Sequence, residues 1–277
     1  MTRTVAQHAD KAPRFWRDDA LPFIEARAIA DGREVCYSRH SHAHFSIGAI
    51  TAGRSTYLHE HAQFEVSAGT VVLMNPGDVH ACNPIDDQPW SYLMLYVETS
   101  WLTDLQHQLG FAEDQEFRRF AITHVHDASL FAGLSDLYAV LVDEQQDILR
   151  KHSAAVEFFT DVQQRLNPID QPLREPNFKL QRAADYIRDH CTQLLKLEDI
   201  CAAAQLSPSY LIRAFKQHYG MTPHAFLLNQ RIQFAQEQLR NGKLIADVAI
   251  AAGFADQAHF QRVFKQHLAA TPGQYRG

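Results

Sequence analysis

The sequence predicts an α+β protein in which an N-terminal antiparallel β-barrel of the jelly-roll type carries appended helices and precedes an all-α domain. Three observations predict this arrangement. Short β-prone runs fill residues 23–97, helical periodicity begins after Trp101, and a proline-rich segment precedes a helical third with an internal repeat. We therefore divide the chain into a barrel domain at 1–166, a linker at 167–176 and a helical domain at 177–277.

The predicted barrel strands are short and bounded by turn residues. Residues 47–50, 70–74 and 92–97 are rich in aliphatic, β-branched and aromatic side chains. Turn residues such as those of Asn75-Pro76-Gly77-Asp78 separate them. This spacing favours a small antiparallel barrel, and the polar residues 1–20 before it are predicted to form a mobile arm.

Two apolar stripes at helical spacing follow the barrel. One runs from Leu130 to Leu141 and the other from Val156 to Leu166, with a break between the helices near residues 151–153. Their apolar faces have two open interpretations, which are not exclusive. They pack on the barrel, or they form the contact between two copies of the chain.

The chain changes character at the predicted linker. Residues 167–176 contain three prolines and no periodicity, which is typical of a linker. Residues 176–277 carry 12 Lys and Arg against 7 Asp and Glu, a net charge of +5, whereas residues 1–175 carry 14 against 25, a net charge of −11. A basic module beside an acidic one indicates a nucleic-acid-binding domain joined to a domain with another role.

The helical domain contains a duplicated motif. The tetrapeptide at 215–218 recurs unchanged at 264–267, which is 49 residues later. Each copy has a small-residue helix, a turn and a second helix whose core includes Phe215 or Phe264. A repeated unit of this kind is a helix-turn-helix, and two in tandem predict that one chain reads two successive major grooves of DNA.

The exposed face of each second helix carries the side chains that we expect to contact DNA. Long polar and basic side chains reach base edges and phosphates. A surface salt bridge is the alternative role for the two arginines. The predicted contacts are Ser209, Ile212, Arg213, Lys216 and Gln217 in the first unit, and Gln257, His259, Gln261, Arg262 and Lys265 in the second.

The repeat is similar to the AraC/XylS family of bacterial transcription regulators. The resemblance covers residues 178–277 and rests on the two units, their spacing and the terminal Tyr275-Arg276. One departure is Ala269, which stands where the first unit has Gly220. The resemblance implies a sequence-specific regulator of transcription that binds double-stranded promoter DNA, most often as an activator and a homodimer working with RNA polymerase.

Residues 40–97 resemble, through fewer motifs, the cupin-type effector-binding domain of many AraC-like regulators. The resemblance implies a pocket for a small-molecule effector inside the barrel. By strand alternation, residues 90, 92, 94 and 96 share one face, and they either line that pocket or fill the barrel. The predicted effector-binding residues are Arg39, His42, His44, Tyr57, His80, Trp90, Tyr92 and Met94.

The histidines also raise a metal hypothesis. His42, His44 and His80 are candidate ligands for Zn²⁺ or Fe²⁺, and a metal-dependent cupin oxygenase with a DNA-targeting module is the rival class. Residues 45–48 lack the glutamate that catalytic cupins carry after their His-x-His motif. We therefore predict no enzyme, metal or cofactor. Constitutive DNA binding with a vestigial barrel is a third interpretation.

Neither the cysteines nor the N-terminus indicates export. The four cysteines are scattered, which favours reduced thiols over a disulfide framework. Residues 1–16 have no apolar signal segment, and no run of about 18 apolar residues occurs in the chain. We expect a cytoplasmic protein with no membrane partner.

Overall fold

The computed structural model describes residues 12–112, 114–168 and 177–276. The strands are β1 (Arg14–Trp16), β2 (Ile24–Ile29), β3 (Phe45–Ala52), β4 (Arg54–His59), β5 (Ala62–Ser67), β6 (Val71–Met74), β7 (His80–Pro84), β8 (Ser91–Val97) and β9 (His124–Val125). The helices are α1 (Thr99–Gln108), α2 (Ala128–Val142), α3 (Ile148–Leu166), α4 (Phe178–Asp189), α5 (Leu197–Ala204), α6 (Pro208–Tyr219), α7 (Pro223–Arg240), α8 (Ile245–Ala251), α9 (Gln257–Leu268) and α10 (Pro272–Arg276).

The strands form two antiparallel sheets, so the predicted antiparallel N-terminal domain of the jelly-roll type is confirmed, although its sheet does not close into a barrel. The large sheet has the order β1-β2-β8-β3-β6-β9, and the small sheet has the order β5-β4-β7. The chain changes sheets after β6, because Asn75 and Asp78 close a tight turn in which Asp78 Oδ2 accepts from the backbone and side-chain amides of Asn75. A bridge of His40 to His80 extends the small sheet at the start of β7.

Each face of the large sheet covers a different core. Leu95 and Val97 of β8 face the helices α1–α3 with Phe45 and Ile47. Tyr92 and Met94 of β8, and Trp90 directly before it, face the small sheet. The strand alternation predicted for β8 is therefore confirmed, and its aromatic face lies between the sheets.

The helices α2 and α3 bury the apolar stripes that the sequence predicted, by packing on the large sheet. The break between the two helices lies earlier in the chain than predicted. Asp127 and Asp147 cap α2 and α3 by accepting backbone N–H groups. The break falls at 143–147, not at 151–153, because the Asp147 cap starts α3 before Lys151. Lys151 is buried within α3, and its ammonium lies 5.3 Å from the centre of the Trp16 ring.

The prediction of a mobile arm at residues 1–20 was wrong for residues 12–20, which are the part that the structure describes. Residues 14–16 form β1, which pairs with β2. The ring of Phe15 meets Tyr275 of α10 edge to face at 5.4 Å. Residues 1–11, and residues 169–176 of the predicted linker, lie outside the described residues. None of the helices within the described ranges has the length and apolar character needed to cross a membrane.

The helical domain has one small core for each helix-turn-helix. Leu211 and Phe215 of α6 lie in the first core, and Phe260 and Phe264 of α9 lie in the second. Gly220 ends α6 with φ 71°, and Ala269 ends α9 with φ 50°. Both helix ends are left-handed, and glycine adopts that conformation without the steric cost that alanine carries.

Candidate DNA-binding and effector-binding sites

The predicted DNA-contacting residues lie on the outer faces of α6 and α9. Nine of the ten are exposed, and His259 is half-buried because its ring meets Phe254 edge to face at 5.4 Å. Within the described ranges, neither Arg213 nor Arg262 has a carboxylate at ion-pair distance. Their guanidinium groups are thus available for phosphate or base contacts, as the DNA hypothesis requires.

The helix α7 separates the two recognition helices. Its 18 residues correspond to about 27 Å at about 1.5 Å per residue, against about 34 Å for one turn of B-DNA. Thr222 caps its start by accepting from the backbone N–H of Ala225 at 3.2 Å. A rod of this length suits two recognition helices on one face of a duplex, with the mismatch taken up by bending the DNA.

The C-terminal ends of both recognition helices rest on the N-terminal domain. His61, in the turn between β4 and β5, donates from Nε2 to the carbonyl of Gln217 at 3.1 Å. At the end of α9, the backbone N–H of Ser38 donates to the carbonyl of Gln266 at 2.8 Å. Near the starts of the two helices, Ser209 and Gln257 are exposed.

The middle of α7 is fastened to the same domain through Ser41. Asn229 is buried, accepts from the backbone N–H of Ser41 at 3.3 Å and donates to its hydroxyl at 3.2 Å. Gln233, one turn later, donates to the Ser41 carbonyl at 2.7 Å. The segment between β2 and β3 therefore binds the rod that spaces the two recognition helices.

The space between the two sheets is filled. Tyr57 is fully buried and donates to the carbonyl of Leu73 at 2.8 Å. Trp90 stacks on Tyr92 at 4.9 Å and donates to the carbonyl of Gly32. Beside Trp90, Tyr92 and Met94 remains a cavity of only about 20 Å³, which is room for one water molecule.

Two cavities larger than this one lie between the two domains. One of about 820 Å³ is lined from the N-terminal side by residues including His42 and Arg119, and from the helical side by residues including Arg188 and Gln233. A second, of about 310 Å³, lies on the other side of the Ser41 contact. Both fall within the range typical of small-molecule sites.

The predicted histidines form a cluster at the edge of these cavities. The rings of His42 and His80 lie 4.9 Å apart, and His40, which was not among the predicted effector-binding residues, lies 4.4 Å from His80. Each donates from Nδ1 to a backbone carbonyl. Burial lowers the pKa of His42 to about 3 and that of His80 to about 4, so the cluster is neutral at pH 7.

The other predicted polar residues are placed separately. His44 donates to Glu98 at 3.0 Å and lines the smaller interdomain cavity. Arg39 is exposed and donates to the carbonyl of Glu60. Within the described ranges, no three His, Cys, Asp or Glu residues are arranged to hold a metal ion.

The sequence did not predict the contacts of buried Asp78, whose carboxylate binds His59 and Arg119 behind the histidine cluster. Burial raises the pKa of Asp78, but the hydrogen bond from His59 and the charge of Arg119 outweigh it and lower the pKa to about 2.

Arg27 was also not predicted as a functional residue. The signal that could have identified it is its position as a charged residue within the largely apolar strand Ile24–Ile29.

Known families match both halves of the chain. A helix-turn-helix domain family matches residues 200–277, and the AraC-like ligand binding domain family matches residues 23–158. The chain is 25% identical over 232 residues to the HTH-type transcriptional regulator YbfI of Bacillus subtilis, covering 80% of this chain and 81% of that one. It is 28% identical over 241 residues to the arabinose operon regulatory protein of Escherichia coli, covering 81% and 77%.

The fold is also similar to solved structures. ToxT from Vibrio cholerae aligns with a TM-score of 0.55 at 13% identity, covering 92% of this chain and 98% of that one. Wild-type ToxT with bound unsaturated fatty acid aligns with a TM-score of 0.53 at 15% identity, covering 92% and 95%. Fold, duplicated motif and family matches agree, so this chain belongs to the AraC/XylS family of transcription regulators, with a ligand-binding domain followed by a helix-turn-helix DNA-binding domain.

Proposed function

We propose that this regulator activates transcription as a homodimer and that its effector binds between the two domains. The carrying observation is the contrast between a filled sandwich interior of about 20 Å³ and interdomain cavities of about 820 and 310 Å³. A ligand between the domains would contact the surfaces that hold the ends of α6 and α9. Of the predicted effector residues, His42 and His44 line these cavities.

The geometry gives the effector a means of control. Both recognition helices and the middle of α7 are hydrogen-bonded to the N-terminal domain. A ligand that binds one arrangement of these contacts more tightly than another increases the population of that arrangement. The size of the shift is set by the difference between its two affinities. A coupling of about 1–3 kcal/mol is sufficient for regulation.

Dimerisation is proposed through the helices after the sheet. The buried faces of α2 and α3 are occupied by the large sheet, so packing on the sheet is observed. The start of α3 exposes Ile148 and Leu149, the latter 72% exposed. Two copies would place four recognition helices on DNA and raise the affinity through effective concentration. RNA polymerase is the partner that activation requires.

The test is a gel shift with DNA from upstream of the protein's own operon. Wild-type protein is expected to retard a specific fragment, and the double variant R213A/R262A is expected to lose that shift. The matched control is Arg33→Ala, because Arg33 is an exposed arginine of the N-terminal domain that is already paired with Asp31. Absence of retardation of every fragment at low salt would contradict the proposal. Iron or zinc at one equivalent, lost in His80→Ala, would instead support the rival oxygenase.

A further inference from the structure

Arg27 is a buried cation at the domain interface without a counter-charge. Its side chain is 1% exposed. In the part of the chain that the structure describes, no Asp or Glu carboxylate lies within ion-pair distance of it, whereas Arg17 and Arg240 nearby share Glu25 at 2.6 and 3.1 Å. Buried arginines are normally paired, so this one requires an explanation.

The groups around Arg27 are neutral. Nη2 donates to the carbonyl of Leu268 at the end of α9, and the side chain is also hydrogen-bonded to Tyr37 and Tyr96. The guanidinium lies 5.2 Å from the ring centre of Phe15 and 5.7 Å from that of Tyr37. Burial raises the pKa of Tyr37 and Tyr96, so both phenols keep their protons. Nε is buried and, among the residues that the structure describes, has no hydrogen-bond partner.

These neutral contacts offset only part of the cost of burying the charge. The C-terminus of α9 contributes a partial charge of about −0.5, which is smaller than the full charge of a carboxylate. Arg27 is one of the residues that line the 310 Å³ cavity. Phe15, Ile232 and Leu268 give this cavity apolar walls.

We propose that the smaller interdomain cavity binds a small monocarboxylate with an apolar body, and that Arg27 is its counter-charge. The inference rests on the proposed function, since it names the chemical class of the effector. One negative charge fits better than a phosphate dianion, because Glu25, Glu98 and Glu237 also line the cavity. The carboxylate competes with the Leu268 carbonyl for the same guanidinium, which links binding to the end of the second recognition helix.

The experiment is calorimetric titration and thermal unfolding of the full chain with sodium octanoate and sodium benzoate. Octanamide and benzamide are the uncharged controls, and inorganic phosphate is the dianion. The two acids are expected to bind and raise the unfolding temperature, and the amides and phosphate are not. Arg27→Met is expected to weaken acid binding at least tenfold, or about 1.4 kcal/mol. Without ligand it should be as stable as wild type or more stable.

Two further variants keep the test decisive. Arg27→Lys keeps the charge, so it is expected to retain a weaker preference for acids over amides. Arg240→Met removes a cation of the same cavity that already has Glu25, and it is expected to bind the acids about as well as wild type.

Several results would overturn the inference. They are no acid binding to wild type, equal binding of acids and amides, or equal losses in Arg27→Met and Arg240→Met. A large loss of stability in Arg27→Met without acid binding would mean that Arg27 only caps α9. Gel shifts on the same proteins separate the two proposals, because loss of acid binding with DNA binding intact contradicts only this one.

Discussion

The two helix-turn-helix units share one frame but are attached to the N-terminal domain differently. The end of α6 meets that domain through the exposed hydrogen bond of His61 and through Val79, which packs into the first core. The end of α9 is held by Ser38 and by buried Arg27, and the second core receives Phe15. The duplicated residues build the same fold twice, whereas contacts outside the repeat couple the second unit more closely to the effector domain.

Removal of the central phenylalanine of each unit should have the largest effect. Phe215→Ala and Phe264→Ala are each expected to cost about 3–5 kcal/mol, because both rings are fully buried. Phe264 also contacts Tyr275, which holds Phe15 and Arg17.

Urea unfolding followed by two signals can distinguish the units. The three tryptophans, Trp16, Trp90 and Trp101, all lie in the N-terminal domain, while circular dichroism follows the helices of both domains. Phe264→Ala is expected to change the tryptophan fluorescence before the main transition, and Phe215→Ala to change it less. Equal early changes in both variants would argue against the closer coupling of the second unit.

Lowering the pH should have the next largest effect on the free energy of unfolding, and this effect should arise at the histidine cluster. His80 is 4% exposed and its folded pKa is about 4, below the 6.5 of a free histidine. A neutral buried histidine stabilises the fold fully above pH 6.5, and this stability is lost as the pH falls towards 4. The expected loss is about 2 kcal/mol by pH 5 from this group alone.

Hydrogen exchange can locate the acid effect. His40 and His80 face one another, and His267 at the end of α9 lies 6.4 Å from His40, with a pKa that burial also lowers. Amides near Gln266 are expected to lose protection between pH 7 and 5 more than amides near Gln217, after correction for intrinsic rates. His80→Gln should flatten the pH profile, and an unchanged profile would contradict its assignment.

Loss of an arginine that we predict to contact DNA should have a smaller effect, and the effect should be similar in both units. Arg213→Ala and Arg262→Ala are each expected to weaken binding to the specific fragment about tenfold and to reduce the salt slope by about 1 if the contact is to phosphate. Arg33→Ala should change neither quantity. An effect limited to one arginine would show that the two units do not engage DNA equivalently.

The sequence predicted most of the helical domain because its signals are local. Ser207-Pro208, Thr222-Pro223 and Asp256 mark helix starts, and α6, α7 and α9 begin directly after them. The alternation of β8 likewise assigned its two faces. These features depend on neighbours a few residues away, so they can be read without knowledge of the tertiary structure.

The site residues that were missed depend on contacts between distant parts of the chain. Ser41 and Asn229 are 188 residues apart, and Arg27 and Leu268 are 241 apart. Asn229 lies in a helix with ordinary periodicity and has no motif of its own. Whether the sheet closes was unpredictable for a related reason, because the strand pattern does not specify whether β7 pairs with β4 alone or also with a strand of the large sheet.

The smallest effect should come from exchanging the residues that end the two recognition helices. Gly220 has φ 71°, and a Cβ added there would lie 3.4 Å from Val79. Gly220→Ala is expected to destabilise by about 1 kcal/mol, because a left-handed non-glycine residue costs about 1–2 kcal/mol. Ala269 carries that cost at φ 50°. Ala269→Gly should therefore stabilise, by about 0.5 kcal/mol after the greater flexibility of unfolded glycine is counted. Guanidinium unfolding of both variants measures the difference, and a change of the same sign at the two positions would show that packing against the N-terminal domain, not backbone conformation, determines these helix ends.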